Sequence, residues 1–188
     1  AGAGKDREIL LKPSWDSAKI RIPWLLASWT GGIIASYVIG NFEKMLENTI
    51  VLVSFIPIII GMGGNIGTQS STIIVRGMAT GRITMGDEGA TILKELKTGL
   101  ILGILYGLML GLFAGVRFLN TGPMIGVVVG LSICSSMIIA TGVGTLTPLV
   151  LRKLEIDPAI AAGPFVTTSI DILGVLLYFL IAGLLLQS

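Results

Sequence analysis

The chain is 188 residues long, 53% hydrophobic and only 13% charged, with a mean hydropathy of +0.90. A soluble domain carries about 25% charge, so a water-soluble globule is excluded, and a net charge of +2 spread over membrane flanks gives nucleic acid no footing. The lack of histidine and the single cysteine, Cys134, exclude His-ligated zinc, a serine–histidine triad, an imidazole proton relay and an intrachain disulfide.

Between charges lie uncharged runs at 22–42, 48–75, 98–116 and 118–151, then 158–188 interrupted once by Asp171. Each is long enough for a helix of about 20 residues to cross the hydrocarbon core. The expected fold is therefore an all-α integral membrane protein with five transmembrane helices and its termini on opposite sides. Residues 1–20 are polar and mixed in charge, unlike a signal peptide. Within them Lys5 to Lys19 read as a cytoplasmic juxtamembrane segment, with a short interfacial helix broken at Pro13. Arg21, Pro23 and Trp24 mark the start of the first span, about 22–40, and Trp15 and Trp24 suit headgroup-level anchoring. Asn41 to Asn48 read as a short loop.

The second span, about 49–78, contains Pro57 and then GMGGNIGTQSST at 61–72. Glycine and proline are tolerated in a membrane helix where neighbours or water re-satisfy freed backbone groups. The stretch is thus expected to offer carbonyls, with Gly61, Gly63, Gly64, Asn65 and Gln69, to a cavity. Its glycines lack the spacing of a dinucleotide loop, and no P-loop lysine follows. Arg76 and Arg82 mark the next interface, and 80–97 reads as the longest polar connection, with Asp87, Glu88, Lys94, Glu95 and Lys97.

The third span carries Gly99, Gly103, Gly107, Gly111 and Gly115, a ridge at i, i+4 spacing on one side of one helix. Small residues so spaced let two backbones approach closely, so the ridge is expected to be a packing seam. The fourth span continues with Gly122, Gly126 and Gly130, turns polar and small from Ser132 to Thr147, and meets Pro148; Cys134 reads as a small packed residue. Arg152, Lys153, Glu155 and Asp157 form a tight loop, and Pro158 opens the fifth span. Asp87, Glu88, Glu155 and Asp157 read as solvated loop charges rather than a second ion site. With a cytoplasmic N-terminus, eleven Lys and Arg side chains lie inside and two, Lys44 and Arg117, outside. That is the positive-inside asymmetry, and it puts the C-terminus outside the cytoplasm.

Asp171 is the one acid deep in an apolar run. It lies thirteen residues beyond Pro158, about 20 Å along a helix at ~1.5 Å per residue. A charge at that depth costs at least a few kcal/mol, roughly, on insertion scales. No Lys or Arg lies deep in any span to offset it, which favours an exogenous cation over an ion pair; a structural aspartate hydrogen-bonded within the bundle is the competing reading. Thr167 and Thr168, at i−4 and i−3, and Gly163, two turns earlier, share its side of the helix. Oxygen ligands without thiolates or imidazoles suit a hard divalent ion that keeps its waters: Mg2+ first, with Mn2+ or Co2+ able to follow. One carboxylate per chain is little for such an ion, and a two-fold homodimer supplies two. A cation-coupled exchanger remains the alternative to a channel, and a structural membrane subunit the alternative from another class. Without a second buried acid, an enzyme is the weakest reading.

Three segments carry a family resemblance: PIIIGMGGNIGTQSSTIIVRGMATG at 57–81, DPAIAAGPFVTTSID at 157–171 with Leu173 and Gly174 after it, and FEKMLE at 42–47. They resemble the second helix, the fifth helix and the first external loop of the MgtE family of magnesium channels. The resemblance implies a homodimer with ten helices around a central pore in the cell's inner (plasma) membrane, helices two and five lining it. It implies hydrated Mg2+ held at Asp171, with the Thr167 backbone carbonyl as second contact. Some members have asparagine where Gly163 stands, so a side-chain contact is lost there. Full-length members carry cytoplasmic N-terminal and CBS sensor domains. By this resemblance 21–188 is the pore domain and 1–20 the end of the connector.

Overall fold

The computed structural model describes residues 13–83 and 88–186. Among the described residues there are six α-helices: α1 (Ser14–Gly40), α2 (Glu43–Asn48), α3 (Ile56–Ala79), α4 (Glu88–Arg117), α5 (Met124–Lys153) and α6 (Pro158–Leu186), with 3-10 segments at Ile50–Phe55 and Leu119–Thr121. Among the described residues five stretches are long and apolar enough to cross a membrane: Arg21–Gly40, Ile50–Ala79, Glu88–Arg117, Met124–Lys153 and Ala162–Leu186.

Several boundaries differ from the sequence expectation. Pro13 caps a helix. A proline has no N–H to lose at a helix start, so α1 begins at Ser14 and runs unbroken through Pro23 to Gly40. The part of the juxtamembrane segment before Pro13 lies outside the described residues. Pro57 sits in the first turn of α3 rather than mid-helix, because the residues before it form the 3-10 stretch Ile50–Phe55. The FEKMLE segment is helical: Met45 is buried, and Phe42 stacks on Phe179 with centroids 4.9 Å apart. The polar connection is shorter than expected, since α4 already begins at Glu88.

α5 is the most buried span and packs against α3, α4 and α6; α6 also packs against α3 and α1. Lipid gives apolar side chains no reason to leave it, so close packing and hydrogen bonds must hold the spans together. The α4–α5 seam shows how. A Cβ on Gly107 would fall 2.6 Å from the Gly130 carbonyl oxygen, one on Gly111 2.8 Å from that of Gly126, and one on Gly103 2.9 Å from that of Cys134. Gly99 lies against Thr141, while a Cβ on Gly115 would stand an ordinary 3.8 Å from the Gly126 Cα. Gly107→Leu must push backbone against backbone, and overpacking costs about 1–3 kcal/mol or more. Thermal unfolding in micelles should show a clear loss, whereas Gly32→Ala, which meets nothing within 4 Å, should leave the midpoint unchanged.

Tyr178 anchors the other end of the core. It is fully buried, and its hydroxyl donates to the Leu52 carbonyl at 2.8 Å, tying α6 to the segment that leads into α3. Leu52, Phe55, Ile59 and Phe179 fill the space around it.

Candidate functional site

α3 has two faces. Ile59, Gly63, Ile66, Gly67, Ser70, Ser71 and Ile74 are buried, while Gly61, Asn65, Thr68, Gln69, Thr72 and Arg76 are exposed. Amide and guanidinium groups do not belong against lipid tails, so this face must meet water or protein. The helix is unbroken from Ile56 to Ala79. The glycines therefore do not free the carbonyls, as the sequence had led one to expect, because lipid offers no competing partner for them. Instead Gly63 and Gly67 allow close packing. A Cβ on Gly63 would stand 2.8 Å from Ile170 Cγ2 and 2.9 Å from Ser136 Oγ, and one on Gly67 would stand 3.0 Å from Val166 Cγ1. Of the expected path residues, Gly61, Asn65 and Gln69 lie on the open face, Gly64 borders it with free space beside its Cα, and Gly63 lies in the seam.

Those seam contacts fix an antiparallel register between α3 and α6. Gly63 opposite Ile170 and Gly67 opposite Val166 bring Asp171 to the level of Met62, within one turn of Gly61, Gly64 and Asn65 on the polar ladder of α3, Thr167 to that of Ile66, and Gly163 to that of Ser70. A cleft of about 310 Å³ opens at the lower end of this ladder, lined by Thr68, Thr72 and Arg76 from α3 and by Pro158, Ala162 and Gly163 from α6. Asp171 is half-buried. Among the described residues no Lys or Arg lies within ion-pairing distance of it.

Thr167 turns its hydroxyl back onto its own helix, donating to the Gly163 carbonyl at 3.1 Å. Thr68 and Thr72 do the same, donating to Gly64 at 2.7 Å and to Thr68 at 2.8 Å. With the hydroxyl hydrogens spent in this way, these groups present oxygen lone pairs outward, the arrangement that suits a cation's water shell. Thr168 faces elsewhere: its side chain lies against Gly31 of α1, and its Oγ1 is buried without a partner among the described residues.

Two features escaped the sequence reading. Thr68 and Thr72 continue the polar ladder at i+4 from Gly64, a spacing open to inspection. Glu95, read as part of a solvated connection, is only 7% exposed, and its Oε2 accepts a 2.9 Å hydrogen bond from Ser70 Oγ. Asp171 is thus not the only acid inside the bundle. The signal was that Glu95 stands four residues before Gly99 and so extends the glycine stripe. At the mouth, Asp157 Oδ1 accepts from the Ala159 N–H at 3.0 Å and caps α6, Glu155 is exposed, and Asp87 lies outside the described residues. Among the described residues no three acids, cysteines or histidines group to hold a metal.

The profile of MgtE, described as a divalent cation transporter, matches residues 56–181. The magnesium transporter MgtE of Thermus thermophilus is 35% identical over 168 residues, covering 89% of this chain and 37% of that protein. Its Bacillus subtilis counterpart is 35% identical over 188 residues, 100% of this chain and 41% of the relative. The Enterococcus faecalis protein is 36% identical over 190 residues, 98% of this chain and 40% of the relative. The chain therefore spans about two fifths of the length of these curated relatives. A match over 56–181 takes in both the polar face of α3 and Asp171 on α6, and with these identities along nearly the whole chain, it belongs to the MgtE family of divalent cation transporters.

Proposed function

We propose that two copies of this chain form a magnesium channel that carries hydrated Mg2+ into the cytoplasm, with Asp171 of each subunit at the central ion site. The observation that carries this reading is the half-buried Asp171, without an ion-pair partner among the described residues and within one turn of Gly61, Gly64 and Asn65 on the polar face of α3. Pairing two such faces about a two-fold axis encloses the polar groups that lipid cannot solvate and doubles the carboxylates. The Thr167 carbonyl and the backbone at Gly163 line the route below, and Gly61, Gly64, Asn65 and Gln69 line it from α3. The relatives' names supply the ion, and an all-oxygen lining suits its water shell. Mn2+ and Co2+ pass by the same chemistry. Positive charge places the N-terminus and the Arg76 end of α3 in the cytoplasm, and sensor domains of the family kind act on the pore from that side.

Inward flow then needs no pump, since two charges across 100 mV are worth about 4.6 kcal/mol. Proteoliposomes holding the protein should take up Mg2+ under an inside-negative voltage with neither a sodium nor a proton gradient present. Uptake that strictly requires one of those gradients makes the protein an exchanger. No uptake by folded, dimeric protein leaves it a structural subunit.

A further inference from the structure

α3 ends in a built hook. Gly81 takes φ +71°, a left-handed conformation that costs glycine least. The chain then turns back, and the N–H groups of Arg82 and Ile83 both donate to the Gly77 carbonyl, at 2.9 and 3.2 Å. Ile83, 9% exposed, lies on Gly77 and packs with Ile74 and Leu149. This anchor holds Arg82 beside the last turn of α3. Arg76, Thr80 and Arg82 of the hook, with Thr91 of α4, line a recess of about 560 Å³ whose remaining wall includes Ile73. Among the described residues neither guanidinium has a carboxyl partner.

We propose that this recess binds the phosphate of an anionic lipid headgroup, with Arg76 and Arg82 as its two cationic contacts. The recess sits where the Ile50–Ala79 span ends, which is headgroup depth, where phosphate is the abundant anion. A guanidinium fork matches phosphate oxygens. Basic recesses between spans at the positively flanked end meet the leaflet richest in anionic lipid. Ile73, exposed on the same wall, gives the glycerol and upper acyl carbons an apolar surface, which distinguishes a lipid from a soluble anion. Arg76 also lines the α3–α6 cleft. On the channel reading above, a bound phosphate neutralises a cation standing at the ion's exit; the binding itself does not depend on that reading.

The test is therefore one of binding, independent of transport. Thermal unfolding of the purified chain in micelles is compared with added phosphatidylglycerol, phosphatidylcholine or inorganic phosphate. Phosphatidylglycerol is expected to raise the midpoint by at least about 3 °C beyond phosphatidylcholine, on the scale of roughly 2–4 °C per kcal/mol for a chain of this size. Arg76→Gln with Arg82→Gln should remove that difference, Arg82→Gln alone should reduce it, and the paired lysine variants should keep part of it. Three outcomes overturn the proposal: a full shift in the double glutamine variant, an equal shift with phosphatidylcholine, or a shift reproduced by inorganic phosphate.

Discussion

Asp171→Asn is expected to cut Mg2+ uptake by at least ~100-fold while leaving the fold intact. The substitution keeps the shape and removes the charge. Each carboxylate that accepts a hydrogen bond from the ion's water shell contributes about 1.5–3 kcal/mol, and the dimer loses two at once. A loss of roughly 3–6 kcal/mol is a hundredfold or more in ion affinity, at 1.4 kcal/mol per decade. Stability should not fall, because Asp171 has no ion-pair partner among the described residues, and removing an uncompensated charge relieves a membrane-buried cost. Flux measured beside thermal unfolding separates the two effects. A variant that transports as well as wild type removes Asp171 from the path and moves the search to Asn65 and Gln69. One that loses flux only because it unfolds returns Asp171 to a structural role. Asp171→Glu keeps the charge but moves it by one methylene, so uptake should fall by less and selectivity should loosen.

What the sequence made legible was whatever depends on composition along one helix. Five spans followed from uninterrupted apolar runs, and Asp171 stood out because nothing else in its run is charged. Illegible features were those decided by a second helix. Thr167 and Thr168 both lie within a turn of Asp171, and only the approach of Gly31 shows that Thr168 is turned toward α1. Gly63 and Gly64 are adjacent and chemically identical, yet one meets Ile170 and Ser136 while the other has open space beside it. The glycine-rich stretch of α3 suggested carbonyls open to a cavity, since in water glycine costs about 1 kcal/mol in a helix interior. In lipid the alternative is unpaired backbone, so the helix persists and the glycines serve contact instead. Glu95 was hidden by its neighbours: Lys94 and Lys97 flank it in sequence and are exposed, while the rotation of α4 that buries Gly99 buries Glu95 with it.

Ser70→Ala is expected to destabilise the bundle more than the size of one hydroxyl implies. The Ser70–Glu95 hydrogen bond ties α3 to α4 deep in the bundle, two helices that otherwise make little direct contact. Both side chains are more than nine-tenths buried. Removing the hydroxyl leaves a buried carboxyl oxygen without its donor, a penalty of about 1–3 kcal/mol. Glu95→Leu leaves the Ser70 hydroxyl as the orphan, a smaller group to strand. The double variant, Ser70→Ala with Glu95→Leu, replaces both polar partners by apolar ones and should recover much of the loss, since that exchange is close to neutral. A thermal-unfolding cycle over the four proteins should therefore return a coupling of roughly 1–2 kcal/mol, in the range for directly contacting residues. Simple additivity within about 0.3–0.5 kcal/mol shows that the bond contributes nothing to the bundle. Because α3 carries the polar face, loosening this tie should also alter Mg2+ uptake in the single variants, and the double variant should restore uptake together with stability. If stability returns and uptake does not, Glu95 has a part in ion passage beyond holding α3 in place.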